Sequence, residues 1–598
     1  MSLWLYRLVA PAGGRAATDP AMAESRLDMS GGGPTAKRPR LSSSGAAAPR
    51  PDDPLAALHE RALLGCLCPL PVAQLTALTA HLCATDSRRQ LLALSTLQLL
   101  QEAALQQLRL GSMCRQLQRA VCAQRQSDGP LLDALVALLA SGAALLSCGA
   151  GRCLTLAALL LPPGRAQRLL DILVAAVLDS ERPLEVCHAL NALQRLIEQH
   201  EPPESVAGGV RPLPAGCVAL SVGLDPEALS EIKCSITTLL ENRWVPVTQR
   251  FCRLLARPAY ETEVLAFLRL WTTIISVKNN LSIVETKSFY GRLEGLLGSL
   301  GGDASPHVWR AVLDLYAEVL CYGSTIALQD CVAEEPAGLA HALLRQTRAG
   351  RLLEVVPYER GVRAFAGGGG GGGGDRPLMQ KTVLLVLKAL AVTVKETRCE
   401  SSSEASARSA GGSGSEEQDM VIIERTLREV VRRLDGWVKA RLPFHPETPM
   451  SEWAVVLLCD QDDYLVEAMV CLLDLCAGLA ERARMQPDFE RAIDAHRSFV
   501  QFLGTVRRDH DLLLDFLISN ETCFLLYLLR YLKFVRKHWA RFLLACGAKL
   551  QEVMGVLIGL RISLQQLVAR DLFPYNVTPI LKLLERCEQL YEHNPAAG

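Results

Sequence analysis

The residues best equipped for chemistry in the first part of the chain are Cys66 and Cys68, a C-x-C pair with His59 and His81 nearby. Thiolates and imidazoles are zinc ligands, but a structural zinc site usually needs four of them in paired spacings. Here a single C-x-C stands at a helix end, so the two thiols are expected to be buried, with no metal and no cofactor. Arg508-Asp509-His510-Asp511 sets a histidine among carboxylates. Adjacent residues on a helix point in different directions, so this run reads as a surface charge cluster and not a catalytic couple. G-x-x-x-x-G-K-[ST], G-x-S-x-G and H-E-x-x-H are all missing, which removes the most specific signatures of phosphate binding, acyl transfer and zinc proteolysis. No catalytic residue is predicted, and the chain is not expected to be an enzyme.

Charge gathers instead between Asp511 and Leu550. A short helix there should break at Ser519-Asn520-Glu521-Thr522 and restart as one long amphipathic helix from about Cys523 to Cys546. At 100° per residue, Leu525, Leu528, Leu529, Leu532, Val535, Trp539, Phe542 and Leu543 fall on one side. Arg530, Lys533, Lys537 and Arg541 fall almost opposite, bordered by Tyr527, Tyr531 and Phe534. No acidic residue occurs between Thr522 and Gln551, so the basic stripe has no neutralising partner nearby in sequence. Arg530, Lys533, Lys537 and Arg541 with Tyr527 and Phe534 are the predicted partner-binding surface. Nucleic-acid binding through the same stripe is the alternative, and a solvated outer face is the plainest reading.

What could hold such a face is set by composition. In 598 residues, 49% are hydrophobic but only 5% aromatic, and the excess of Leu and Ala over β-branched runs favours helices. Lys plus Arg and Asp plus Glu balance at 63 each, so bulk charge does not mark a nucleic-acid coat protein. The 20 cysteines, Cys187, Cys234, Cys252, Cys471, Cys476 and Cys523 among them, are scattered over apolar faces. They read as reduced, buried thiols. Ala134 to Gly151 carries no charged residue but is broken at Ser141-Gly142 and Ser147-Cys148-Gly149, so a buried helix pair is expected and no membrane span.

The chain divides into an Ala/Gly/Pro/Ser-rich disordered leader (1–53), an N-terminal helical array (54–200), a loop (201–225) and central helical repeats (226–362). A Gly-rich insertion (363–378), one helix (379–396) and a Ser/Gly/Glu insertion (397–419) follow, then C-terminal repeats (420–570) and a short end motif (571–598). Within the leader, Lys37-Arg38-Pro39-Arg40 has the form of a nuclear-import signal. Helix pairs recurring at roughly 35–45 residues predict an all-α, armadillo/HEAT-like helical-repeat solenoid.

Three segments carry a family likeness: Glu447-Thr448-Pro449-Met450-Ser451-Glu452-Trp453 with Glu467-Ala468-Met469-Val470-Cys471-Leu472-Leu473; Leu514 to Leu525 with Arg530-Tyr531-Leu532-Lys533; and Leu572-Phe573-Pro574-Tyr575-Asn576 with Leu581, Leu584, Arg586-Cys587 and Leu590. Together they resemble the Lines homologue family, specifically over roughly the last 180 residues and by general pattern back to about residue 230. The resemblance implies a non-enzymatic scaffold linked to Wingless/Wnt signalling and developmental patterning. It implies a protein distributed between cytoplasm and nucleus that binds and antagonises zinc-finger transcription factors.

Overall fold

The structure, a computed structural model, describes residues 53–593 apart from 69–72, 127–128, 199–212, 214–215, 224–225, 277–286, 302, 324, 330, 359–373, 406–412 and 481–485. Residues 1–52 of the expected leader, with Lys37, Arg38, Pro39 and Arg40, and most of the glycine run, lie outside the described residues.

The first array comprises α1 (Pro54–Leu63), α2 (Ala73–Leu82), α3 (Ser87–Arg109), β1 (Ser112–Cys114), α4 (Arg115–Gln126), α5 (Pro130–Leu139), α6 (Ala144–Leu160), α7 (Pro163–Asp179) and α8 (Pro183–Glu198). After β2 (Ala219–Ser221) come α9 (Pro226–Cys252), α10 (Glu261–Ser276), α11 (Leu293–Ser299), α12 (Pro306–Val319), α13 (Glu334–Arg348), α14 (Arg351–Val355) and α15 (Arg376–Ala405). The last part holds α16 (Ser413–Lys439), α17 (Met450–Leu458), α18 (Asp462–Ala480), α19 (Pro487–Ala492), α20 (Ala495–Thr505), α21 (His510–Ile518), α22 (Phe524–Lys537), α23 (Trp539–Cys546), α24 (Leu550–Ala569) and α25 (Thr578–Glu592). Many of the prolines that interrupt the leucine pattern open the next helix, as Pro54, Pro130, Pro163, Pro306 and Pro487 do in the first turn. There the missing N–H has no intrahelical partner to lose.

One row of helices runs through the whole molecule. α3 packs on α6, α6 on α8, α8 on α10, α10 on α12, α12 on α15, α15 on α18, α18 on α22 and α22 on α25. The other helices cover this row as a second layer, with α7 against α9, α13 against α16, α17 against α20, α20 against α23 and α21 against α24. This is the expected all-α solenoid, with one buried apolar core running along it.

Local differences have physical causes. α9 continues as one helix through Pro246, a residue that usually breaks or kinks a helix. Losing one helix bond costs roughly 3 kcal/mol, while buried Trp244, Val247 and Phe251 each contribute about 1.5–3 kcal/mol. The 134–151 stretch breaks at Gly142, as expected, but Ser147, Cys148 and Gly149 stay helical within α6. Ser147 Oγ donates to Leu139 O at 2.6 Å, and at Gly149 a Cβ would come within 3.2 Å of Leu94 Cδ1. That small residue lets α6 cross α3 closely. The single helix predicted over 379–396 extends to Arg376–Ala405. Arg376–Arg398 is apolar and long enough to cross a membrane, yet 89% of its apolar window is buried by its neighbours. Trp539–Ala569 passes the same length test with 33% buried, interrupted by a short 3₁₀ turn at Gly547–Lys549.

Candidate functional site

The basic stripe does not stand on one straight helix. The run from Cys523 to Cys546 splits into α22 and α23 at His538, and the buried face of α22 includes Tyr527, Tyr531 and Phe534. Helix periodicity had set these aromatics at the border of the stripe. They turn inward because α20 supplies aromatic partners: Phe499 lies 4.3 Å from the Tyr531 ring centroid, and His496 lies 5.0 Å from Phe534. Tyr527 and Phe534 are therefore corrected from surface contacts to core.

Arg530 is also engaged. Its Nη1 donates to Asp474 Oδ2 at 2.6 Å and its Nη2 to Ala327 O at 2.5 Å. Lys533, Lys537 and Arg541 lie on the surface, with Arg541 3.0 Å from Glu490. The neutralising acids exist after all, on other helices.

Arg530 belongs to a polar junction inside the row. Tyr322 Oη donates to Asp474 Oδ2 at 3.0 Å, the Gly323 amide to Glu467 Oε1 at 3.0 Å, and Lys395 Nζ to Ala327 O at 2.9 Å. Lys388 Nζ, on α15, lies 2.8 Å from Glu467 on α18. Burial alone would push the Lys388 amine down, but the adjacent Glu467 carboxylate outweighs it and holds the amine above its ordinary value. These groups satisfy one another and leave no vacant ligand position, so the junction is structural.

A broad open groove of about 1180 Å³ lies between the end of α13, the length of α16, the 446–449 turn and α19. Seven basic side chains line it, Arg348, Arg425, Arg428, Arg432, Arg433, Lys439 and Arg491, against the acids Glu429, Asp435, Glu447 and Asp488. Glu429 is held by Arg432 and Arg433 at 2.9 and 3.0 Å, and Lys439 by Asp435 at 2.9 Å. The Arg432 hydrogen bond keeps the Glu429 carboxyl below its usual range. Arg348, Arg425 and Arg428 have no ion pair among the described residues. Ile422, 62% exposed, adds an apolar foothold on the groove wall. The sequence reading missed this site, although a run of arginines at helical spacing in α16 signalled it.

A second constellation lies at the other end of the chain. Cys66 and Cys68 leave α1, Cys114 ends β1, and Cys217 precedes β2; their four Sγ atoms all lie within 4.8 Å of one another. They are the only such group of potential metal ligands among the described residues. Cys114 Sγ is 3.8 Å from Cys66 Sγ and 3.9 Å from Cys68 Sγ. The antiparallel pairing of Met113 with Leu220 and Cys114 with Ala219 brings the distant members together. Gln107 of α3 ties the limbs: its Nε2 donates to Gly65 O at 2.6 Å, and its Oε1 accepts from the Cys114 amide at 2.8 Å. Gly65 and Gly216, directly before Cys66 and Cys217, adopt φ +62° and +87°, which other residues rarely do. Burial pushes the Cys114 thiol up, but hydrogen bonds from the Leu117 and Leu67 backbone outweigh it and bring it down to about 7. His59 turns elsewhere, to Thr96 Oγ1 at 2.9 Å.

Comparison with known proteins gives the chain its relatives. The family model described as Lines N-terminus matches residues 226–546, and the one described as Lines C-terminus matches 553–589. "Protein lines" of Drosophila melanogaster is 40% identical over 439 residues, covering 66% of this chain and 50% of the fly protein. "Protein Lines homolog 1" of Homo sapiens is 27% identical over 258 residues, covering 40% of this chain and 32% of the human protein. The chain thus spans half the length of its fly relative, or less of the human one. A crystal structure of Kap121p bound to Pho4p aligns over 91% of this chain and 58% of its own, at 12% identity and a TM-score of 0.26, too low to carry an argument. The matched segments run from the start of α9 to near the end of α25, and by them the chain belongs to the Lines family.

Proposed function

We propose that this chain is a non-enzymatic regulator that works by binding other proteins, with the arginine-lined groove as the docking surface for an acidic segment of a partner. The observation that carries this reading is the groove's excess of basic side chains around exposed Ile422. Guanidinium groups recognise carboxylates with paired hydrogen bonds, and an open groove on a rigid helical stack suits an extended or helical peptide. Membership of the Lines family suggests a developmental regulator. The finer reading, carried from the family likeness, is antagonism of zinc-finger transcription factors in Wnt-linked patterning. Passage between cytoplasm and nucleus through Lys37-Arg38-Pro39-Arg40 belongs to the same reading.

The test is co-precipitation of zinc-finger transcription factors with full-length chain carrying Arg425→Glu, Arg428→Glu and Arg432→Glu together, beside Lys533→Glu with Lys537→Glu. Loss of capture in the first only, with helicity intact, supports the groove. Unchanged capture sinks it, and loss in the second only returns the site to α22. Tight, salt-steep binding of mixed-sequence DNA abolished by the groove triple would favour nucleic acid instead.

A further inference from the structure

We propose that Cys66, Cys68, Cys114 and Cys217 bind one zinc ion tetrahedrally and lock the N-terminal end of the solenoid. Zinc–thiolate bonds of about 2.3 Å in a regular tetrahedron set the sulfur atoms about 3.8 Å apart. The observed 3.8 and 3.9 Å separations match that edge. The widest pair, at no more than 4.8 Å, needs to close by about 1 Å at most to reach it.

The donor set also selects the metal. Four sulfurs with no carboxylate or imidazole among them suit zinc or iron–sulfur chemistry and not magnesium or calcium. On binding, four Zn–S bonds form and the thiol protons leave to solvent, with no change of oxidation state.

Convergence by chance packing fits the rest of the arrangement poorly. Two glycines at positive φ aim Cys66 and Cys217, Gln107 joins both limbs, and the one strand ladder among the described residues brings Cys114 and Cys217 together. That ladder is held further by Arg115 N donating to Val218 O at 2.9 Å and Val222 N to Gly111 O at 3.2 Å. The ion would join the exit of α1 to the strand that precedes α9. It would thereby close the first array on itself just ahead of the segment that matches the family.

The deciding measurement is elemental analysis of the untagged full-length chain, purified under reducing conditions from zinc-supplemented cells. About one zinc per chain is expected, falling to background in Cys114→Ser and unchanged in Cys83→Ser, whose thiol is exposed. Should Cys114→Ser fail to fold, chelator-stripped wild-type chain is titrated with cobalt(II). Intense visible bands of a tetrahedral tetrathiolate, saturating at one equivalent and displaced by zinc, support the site. Substoichiometric zinc without that spectrum overturns it, as would a disulfide within the four or zinc retained by soluble Cys114→Ser. Iron in place of zinc would overturn the choice of metal.

Discussion

Arg530 on α22 donates to Asp474 on α18 and, through its second terminal nitrogen, to Ala327 O beyond the end of α12. One guanidinium thus joins α22, α18 and the segment that follows α12. Its role is to hold the repeats in register, and its charge is spent inside the molecule.

Arg530→Ala should therefore behave as a stability mutation. Leaving Asp474 and Ala327 O short of a donor is expected to cost about 2–3 kcal/mol, whereas Lys533→Ala on the exposed side should stay within about 0.5 kcal/mol. Thermal melts followed by circular dichroism compare the two. Equal melting points would refute the structural role.

The buried pair Lys388–Glu467 gives a sharper test. Removing only the amine, as Lys388→Met, strands a carboxylate between α15 and α18 and should cost about 3–5 kcal/mol. Adding Glu467→Gln keeps an acceptor for the Gly323 amide while discarding the charge. The double variant should regain part of the loss, with a coupling of about 1–3 kcal/mol in a double-mutant cycle.

Close approach of the same two helices depends on Gly478. A Cβ there would collide with Val394 Cγ1 of α15, and a β-branched side chain has little freedom to move away. Gly478→Ala should destabilise by about 1–3 kcal/mol, and Val394→Ala should restore some of that when combined with it. Additive losses in the combined variant would show that the contact is not the cause.

His496 makes the fold sensitive to acid. Burial, with the nearby charges of His538 and Arg541, pushes its imidazole from 6.5 down to about 3. It is neutral when folded and takes up a proton when unfolded across that interval. The stability it leaves intact above pH 6.5 is lost as pH falls toward 3, with a slope of about 1.4 kcal/mol per pH unit. Urea midpoints measured between pH 7 and pH 5 should drop less in His496→Phe than in the parent chain.

Much of the architecture could be read from residue order because the leucine period and the prolines that open helices are local signals. The break expected at Ser519-Asn520-Glu521-Thr522 falls between α21 and α22. What failed depended on distant partners. The period of α22 pointed its leucines inward but could not foresee that Phe499 and His496 would draw Tyr531 and Phe534 into the core as well. The lack of acids near Arg530 in sequence hid Asp474, 56 residues away.

Site chemistry suffered most from the same blindness. Cys66-Leu67-Cys68 looked like half a ligand set, and Cys114 lies 48 residues beyond Cys66, with Cys217 farther still. Only the two short strands reveal that they meet. The arginine groove was closer to legible, since Arg425, Arg428 and Arg432 recur at helical spacing in α16. That Arg425 and Arg428 stay without an acid against them emerges only once α13 and α19 are in place.

The junction at Ala327, Asp474 and Arg530 also dictates an order of assembly on the ribosome. Arg530 follows Ala327 by 203 residues, so the middle of the nascent chain must wait, with Asp474 unneutralised, until α22 has been synthesised. A premature stop upstream of α22 would release a product whose newest helices lack their electrostatic clasp. Such truncations should be cleared by cellular quality control instead of persisting as shorter working versions.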